Sequence, residues 1–122
     1  MEHKILVVDD EPEIVSFLEE SLRELGYQVL AATDGLTGLE MARRERPNLL
    51  ILDLMLPKMD GYRVCALLKN DRRFAKIPII LFSSRAQQED IQLGHDLGAC
   101  AYVTKPFDPQ TFFKQVEEIL KN

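Results

Sequence analysis

Asp9, Asp10, Asp53, Ser83 and Lys105 are the residues of this 122-residue chain whose types could do chemistry together. Each alone has a bland explanation. An Asp-Asp pair before a helix usually caps it, a serine after a strand is usually a turn hydroxyl, and a lysine is usually a solvated surface cation. Gathered in one cleft they need a common explanation. Three carboxylates repel one another, which raises at least one pKa unless a cation binds. A hard divalent cation such as Mg2+ takes oxygen ligands, keeps several waters and pairs with one or two carboxylates plus a phosphate. A carboxylate can also attack phosphorus. The Lys105 ammonium and the Ser83 hydroxyl could then neutralise and hydrogen-bond phosphoryl oxygens.

The elements that must bring these residues together are legible from apolar runs. Leu49-Leu50-Ile51-Leu52 runs unbroken into Asp53, and Leu54-Met55-Leu56-Pro57 follows. A short apolar run without alternation reads as a strand buried on both faces, in the middle of a parallel sheet. Lys4 to Val8 is a second such run, ending in Asp9-Asp10-Glu11-Pro12, and Ile77 to Phe82 is a third, ending in Ser83-Ser84. Tyr27 to Ala32 and Ala101 to Thr104 are more mixed or shorter, and Lys105-Pro106 follows the latter. Between them lie helical patterns: Pro12 onward through Ile14, Leu18, Leu22 and Leu25 to Gly26; a helix capped by Asp34 with Leu36, Leu39 and Ala42 inward; Asp60-Gly61 through Val64, Leu67 and Leu68; Gln87 to Leu97, weakened by Gly94; and Asp108-Pro109 onward through Phe112, Val116, Ile119 and Leu120.

Five strand–helix pairs argue a parallel sheet with helices on both faces, an α/β fold. Central strands need two apolar faces, so the first, third and fourth belong in the middle and the second and fifth at the edges. The flavodoxin-like doubly wound (βα)5 order 2-1-3-4-5 satisfies this, and the rule that ligands bind at the carboxyl ends of the strands is taken over with it. In a parallel sheet, Asp9, Asp10, Asp53, Ser83 and Lys105 then share one edge.

The bulk numbers bound the function. A chain of 122 residues with 46% hydrophobic and 29% charged content is expected to fold as one domain, residues 1–122. A net charge of −5 gives no basic footprint for direct nucleic-acid binding. The Arg43-Arg44-Glu45-Arg46 and Arg72-Arg73 clusters read as cations at helix C-termini. Cys65 and Cys100 have no CxxC or metal-like spacing with His3 or His95 and read as packing residues in a reducing compartment. No signal peptide precedes Lys4 and no run nears the roughly 20 apolar residues of a membrane helix, so the expected location is cytoplasmic, off the membrane.

These residues resemble the receiver domains of bacterial two-component response regulators, over essentially the whole chain. The resemblance rests on Val7-Val8-Asp9-Asp10-Glu11, on Asp53-Leu54-Met55-Leu56-Pro57 with Asp60-Gly61, on Ser83, and on Tyr102-Val103-Thr104-Lys105-Pro106-Phe107. It implies that Asp53 is the phosphoacceptor, taking a phosphoryl group from the phosphohistidine of a sensor histidine kinase. It implies Mg2+ bound by Asp10, Asp53 and the backbone carbonyl of Met55, with Asp9 acting through water. Lys105 would contact the phosphoryl group and precede a cis Lys105-Pro106 bond. Ser83 would bond a phosphoryl oxygen, and Tyr102 would turn inward as the coupled switch. The output surface would be the fourth helix, fifth strand and fifth helix, read by a downstream protein, a histidine phosphotransfer protein or a phosphorylation-dependent dimer partner.

Alternatives stay open at this level. Tyr102 could instead cover a sheet edge, and Phe113 could be an exposed apolar residue or part of an output patch. The chain could pass its phosphoryl group on to a histidine phosphotransfer protein, a phosphorelay role that needs the same five residues. An aspartate-nucleophile hydrolase would carry a second aspartate where Met55 stands. A receiver that signals without phosphate would have lost an acidic residue or the lysine. Nucleotide and serine-hydrolase motifs are absent from the sequence. Two departures from the family pattern stand out. Ser84 replaces a usual small residue, and Cys100-Ala101 stands where many DNA-binding relatives carry two aspartates, which points away from a winged-helix transcription factor of that type.

Overall fold

Five parallel strands alternate with five helices in the computed structural model, which describes residues 2–85 and 87–121. Met1, Ala86 and Asn122, and with them the two ends of the expected 1–122 domain, lie outside the described residues. The strands are β1 (Lys4–Val8), β2 (Gln28–Ala32), β3 (Leu49–Asp53), β4 (Ile79–Ser83) and β5 (Ala101–Thr104). The helices are α1 (Pro12–Glu24), α2 (Gly35–Glu45), α3 (Gly61–Lys69), α4 (Gln88–Asp96) and α5 (Pro109–Lys121). The sheet order is 2-1-3-4-5, all parallel, the flavodoxin-like arrangement expected from the sequence. Every residue of β3 and β4 is buried, whereas β2 and β5 are partly open, as central and edge strands should be.

Alternate residues of the strands feed two cores. Ile5, Val7, Leu49, Ile51, Ile80 and Phe82 pack against Leu18 and Leu22 of α1 and Phe112 and Val116 of α5. Leu6, Val8, Leu50, Leu52, Ile79 and Leu81 pack against Leu39 and Ala42 of α2 and Val64, Cys65 and Leu68 of α3. α1, α2, α3 and α5 each bury one stripe against a face of the sheet, which leaves the strand ends free for polar residues.

Several local expectations shift. Leu36 is 42% exposed rather than inward. The start of α2 lies so close to the β3–α3 loop that a Cβ on Gly35 would sit 1.7 Å from the Met59 carbonyl oxygen. Gly35, Gly38, Leu39 and Ala42 make the buried face, and Leu36 is turned outward. On α1 the buried face is Val15, Leu18 and Leu22, with Ile14 half-buried and Leu25 an exposed C-cap. β4 begins at Ile79 because Pro78 has no N–H for the ladder; its carbonyl accepts from Leu50 N–H at 3.0 Å. Arg72 and Arg73 lie beyond the end of α3, not in its last turn. Arg73 pairs with Asp71 at 2.8 Å, and both Arg73 and Arg46 lie over the Phe74 ring, 5.0 and 5.1 Å from its centroid. Phe113 is not a free apolar residue: its ring lies 5.6 Å from Phe112 and 6.0 Å from Phe17, at the margin of the α1–α5 core.

Candidate functional site: an acidic cleft at the carboxyl edge of the sheet

The parallel sheet delivers Asp9, Asp53 and Ser83 to one edge because β1, β3 and β4 are adjacent and in register there. Asp9 follows β1 and is 1% exposed; Asp53 ends β3 and is 4% exposed; Ser83 ends β4 and is fully buried. Asp10 is exposed. Carboxylate oxygens of Asp9, Asp10 and Asp53 all lie within 4.8 Å of one another.

Two of these carboxylates are held by local backbone. Asp9 does not cap α1 in the usual way, for the N-cap is Glu11 and makes no side-chain cap bond. Instead Asp9 Oδ1 accepts the Glu11 N–H at 2.9 Å, which aims the other oxygen into the cleft. Asp53 Oδ1 accepts the Met55 N–H at 3.3 Å, while the Met55 side chain is exposed.

The β3–α3 loop closes tightly behind Asp53. Asp60 caps α3, its Oδ1 accepting the Arg63 N–H at 3.0 Å. The Gly61 N–H donates to the Leu54 carbonyl at 2.9 Å. A Cβ at Gly61 would lie 2.3 Å from the Asp53 carbonyl oxygen and 2.8 Å from Leu54 Cα. The Asp60-Gly61 pair is therefore a packing requirement of the acidic strand end. Lys58, at φ 69, turns the same loop and reaches Asp34 at 3.9 Å.

Lys105 crosses the cleft from the end of β5. Its N–H donates to the Ser83 carbonyl at 2.8 Å, and the Lys105-Pro106 bond is cis, as expected. Its Nζ donates to Glu11 Oε1 at 2.8 Å, Asp9 Oδ2 at 2.9 Å and Asp53 Oδ2 at 3.4 Å, and lies 5.0 Å from the centroid of the Phe82 ring. Burial pushes the Asp9 carboxyl up; its bonds to Glu11 N–H and Lys105 oppose that, and the Asp53 charge adds to it. Burial likewise raises Asp53 against the pull of Lys105. Burial would lower the Lys105 ammonium, but its hydrogen bonds to Glu11 and Asp9 win and push it up to about 12. The cleft is one cation short of comfortable, since one ammonium faces four carboxylates.

Ser83 Oγ accepts the Arg85 N–H at 3.1 Å, and the Tyr102 hydroxyl donates to the Arg85 carbonyl at 2.7 Å. Tyr102 is half-buried on the edge strand β5. Burial raises its phenol pKa. The Arg85 guanidinium pairs with Asp90 at 3.0 Å. Asp9, Asp10, Asp53 and Lys105 are thus brought together, and Ser83 lies one residue past Phe82, the register partner of Asp53. Sequence reasoning missed Glu11 and Arg85 as participants. Glu11 continues the Asp9-Asp10 run and had a signal in that position. Arg85 acts through its backbone, for which a side chain gives none.

A parallel sheet of this order with an acidic cleft and a lysine at its carboxyl edge defines a receiver-type signalling domain. The family model for the response regulator receiver domain matches residues 5–117, and the chain belongs to that family. The alkaline phosphatase synthesis transcriptional regulatory protein PhoP of Bacillus subtilis is 43% identical over 121 residues, covering 99% of this chain and 50% of that protein. The chain spans about half the length of the curated relatives it matches. That relative is a transcriptional regulator. A response regulator structure from Chloroflexus aurantiacus superposes with a TM-score of 0.93 at 32% identity, covering 100% of both chains. The receiver domain of a Pseudomonas aeruginosa sensor histidine kinase superposes with a TM-score of 0.90 at 28% identity, covering 100% of both chains; its structure has a magnesium ion coordinated in the active site cleft. No helix among the described residues is long and apolar enough to cross a membrane.

Proposed function

We propose that residues 1–122 are a receiver domain that accepts a phosphoryl group on Asp53 from the phosphohistidine of a sensor histidine kinase and, so modified, changes its partner binding. The observation that carries this reading is the Asp53 carboxylate, buried beside the carboxylates of Asp9 and Asp10 and within 3.4 Å of Lys105. An Asp53 Oδ would attack phosphorus, the phosphorus–nitrogen bond to the donor imidazole would break, and the electron pair would remain on the imidazole, leaving an acyl phosphate on Asp53.

The residues fit a divalent cation. The donors are hard oxygens, two are buried with raised pKa values, and the single ammonium leaves negative charge uncompensated. Asp10, Asp53 and the Met55 carbonyl would hold Mg2+, with Asp9 through water. Bound there, the ion supplies charge neutralisation to the phosphoryl oxygens. Lys105 would trade a carboxylate for a phosphoryl oxygen. Ser83 would donate its hydroxyl to another, giving up the Arg85 N–H, and Tyr102 would follow through the Arg85 carbonyl. Phosphorylation thereby shifts a pre-existing equilibrium of the α4–β5–α5 face. The likeness to regulators of transcription supports a DNA-binding module as the partner that reads it, in place of direct nucleic-acid contact by this acidic domain.

Intact mass after incubation with Mg2+ and a small acyl phosphate tests the reading. A single phosphoryl gain, dependent on Mg2+ and absent from Asp53→Asn, is expected. Phosphorylation that persists in Asp53→Asn would overturn the site.

A further inference from the structure

α4 is the helix least held by the core: Gly94 is its one buried residue among those described. A Cβ there would meet Leu81 Cδ1 at 2.9 Å and Tyr102 Cδ2 at 3.1 Å, so the helix rests on the sheet edge through a bare backbone. Beyond this seat on β4 and β5, two polar contacts reach α4 from α3. The Tyr62 hydroxyl donates to the Asp90 carbonyl, in the first turn of α4, at 3.0 Å. One turn along the same face of α3, Cys65 Sγ approaches the Leu97 carbonyl, the C-cap of α4, at 3.8 Å. Burial raises the Tyr62 phenol to about 12, with the neighbouring Tyr102 and Asp90 adding to it, so it stays a donor throughout the ordinary pH range.

The other end of this connection is the phosphoacceptor strand. Tyr62 follows Gly61, whose N–H is bonded to Leu54 and whose α-carbon abuts the Asp53 carbonyl with no room for a side chain. A displacement of the Asp53 backbone therefore moves the first turn of α3, and Tyr62 with it. The hydrogen bonds of the Ser83–Arg85–Tyr102 chain end on the loop before α4, and the Tyr102 ring meets the helix at Gly94; Tyr62 bonds to the helix backbone itself. The two routes meet where the Tyr62 and Tyr102 hydroxyls lie side by side, and again at the Arg85–Asp90 ion pair at 3.0 Å.

We infer that Tyr62 is a positioning residue that couples the Asp53 loop to α4 through α3, a second route to the output face that runs beside the Ser83–Tyr102 one. This rests on Asp53 being the phosphoacceptor. The expected consequence is that the response of α4 to phosphorylation is divided between two tyrosines on different elements.

The test is amide hydrogen exchange of the full chain with and without acyl phosphate and Mg2+, with phosphoryl occupancy read by intact mass in the same samples. Tyr62→Phe removes one hydroxyl and keeps the ring. It should phosphorylate to the unsubstituted level and keep the exchange protection of β1 and β3. The phosphorylation-dependent change in peptides covering residues 88–97 should fall at least twofold. Tyr102→Phe should leave a residual change, which the double variant abolishes. An α4 response in phosphorylated Tyr62→Phe equal to that of the unsubstituted chain would overturn the inference, as would complete loss in Tyr102→Phe alone. Should Tyr62→Phe lose β1 and β3 protection, the residual response of Tyr102→Phe decides the matter by itself. Failure of the unsubstituted chain to phosphorylate would overturn the Asp53 reading, and this one with it.

Discussion

Replacing Gly61 by alanine should damage both stability and the acidic site, for one steric reason. The new methyl would stand 2.3 Å from the Asp53 carbonyl oxygen, 2.8 Å from Leu54 Cα and 3.0 Å from the Asp53 carbonyl carbon. All three are backbone atoms of a central strand end, so no side-chain rotation relieves the clash. Restoring ordinary van der Waals separation needs roughly 1 Å of movement. Overpacking of this kind costs about 1–3 kcal/mol. Loss of the 2.9 Å bond from Gly61 N–H to the Leu54 carbonyl adds about 1 kcal/mol. Better helix propensity returns at most about 1 kcal/mol. The net expectation is about 1–4 kcal/mol, or a fall in Tm of roughly 5–15 °C. Because the displaced carbonyl belongs to Asp53, phosphorylation by an acyl phosphate should slow by about 10- to 100-fold. Gly26→Ala is the control. Gly26 has φ 97 and nothing within 4 Å of where the methyl would stand, so that variant suffers only backbone strain of about 1–2 kcal/mol and keeps its phosphorylation rate. Urea denaturation and mass-resolved phosphorylation kinetics read both. A Gly61→Ala variant as stable as Gly26→Ala to within about 0.5 kcal/mol, with an unchanged rate, would refute the argument.

Asp53→Asn should stabilise the protein without divalent cations at pH 7 by about 1–3 kcal/mol, since it removes one of two buried like charges and leaves Lys105 its bonds to Asp9 and Glu11; a less stable variant in urea denaturation would contradict this. The sign follows from the raised carboxyls of Asp9 and Asp53. The native state holds protons that the unfolded chain has lost, so their contribution to stability falls as pH rises from the usual carboxylate range through the folded values. The difference between Asp53→Asn and the parent should therefore shrink on acidification. Lys105→Met should cost about 3 kcal/mol, because it orphans two buried carboxylates, and Mg2+ should restore part of it; calorimetric titration should show Mg2+ affinity less affected than the coupling of phosphorylation to output, and equal losses would contradict that division of roles. In the parent, the Lys105 contribution should be complete below its usual 10.5 and be lost as pH rises through about 12, so a pH series of denaturation curves should show an alkaline limb that Lys105→Met lacks.

The strands and their order were legible because apolar runs without alternation have one good explanation, and the edge strands β2 and β5 announced themselves by their mixed composition. The cleft followed from topology, since residues 9, 53, 83 and 105 meet only if the sheet is parallel and in that order. What was not legible depends on approach distances. Leu36 looks inward on a helical wheel, yet Gly35 and Gly38 let α2 come so close that the wheel is rotated. Glu11 joins the Lys105 cluster although it sits exposed at the mouth of the cleft. Arg85 serves through its N–H and carbonyl, and Tyr62 through a hydroxyl on a neighbouring helix; neither leaves a trace in residue type. Phe113 falls off the α5 stripe and is still covered, because Phe17 of α1 reaches over to it.

The attachment of α4 through a glycine has a consequence for how such a chain can change over generations. A helix that sinks a packed stripe into the core has half its positions constrained by volume. α4 instead presents Gln88, Glu89, Gln92, Leu93 and Asp96 outward, none of them buried. Surface substitutions away from caps and cores usually shift stability by no more than about 0.5 kcal/mol. If α4 is part of the output face as proposed, its outward residues can be exchanged one by one at little risk to folding, while the acidic cleft at the other end of the same loop stays as it is. The fold thus sets a face that tolerates substitution apart from a cleft that does not, so partner choice on the proposed reading is separable from foldability.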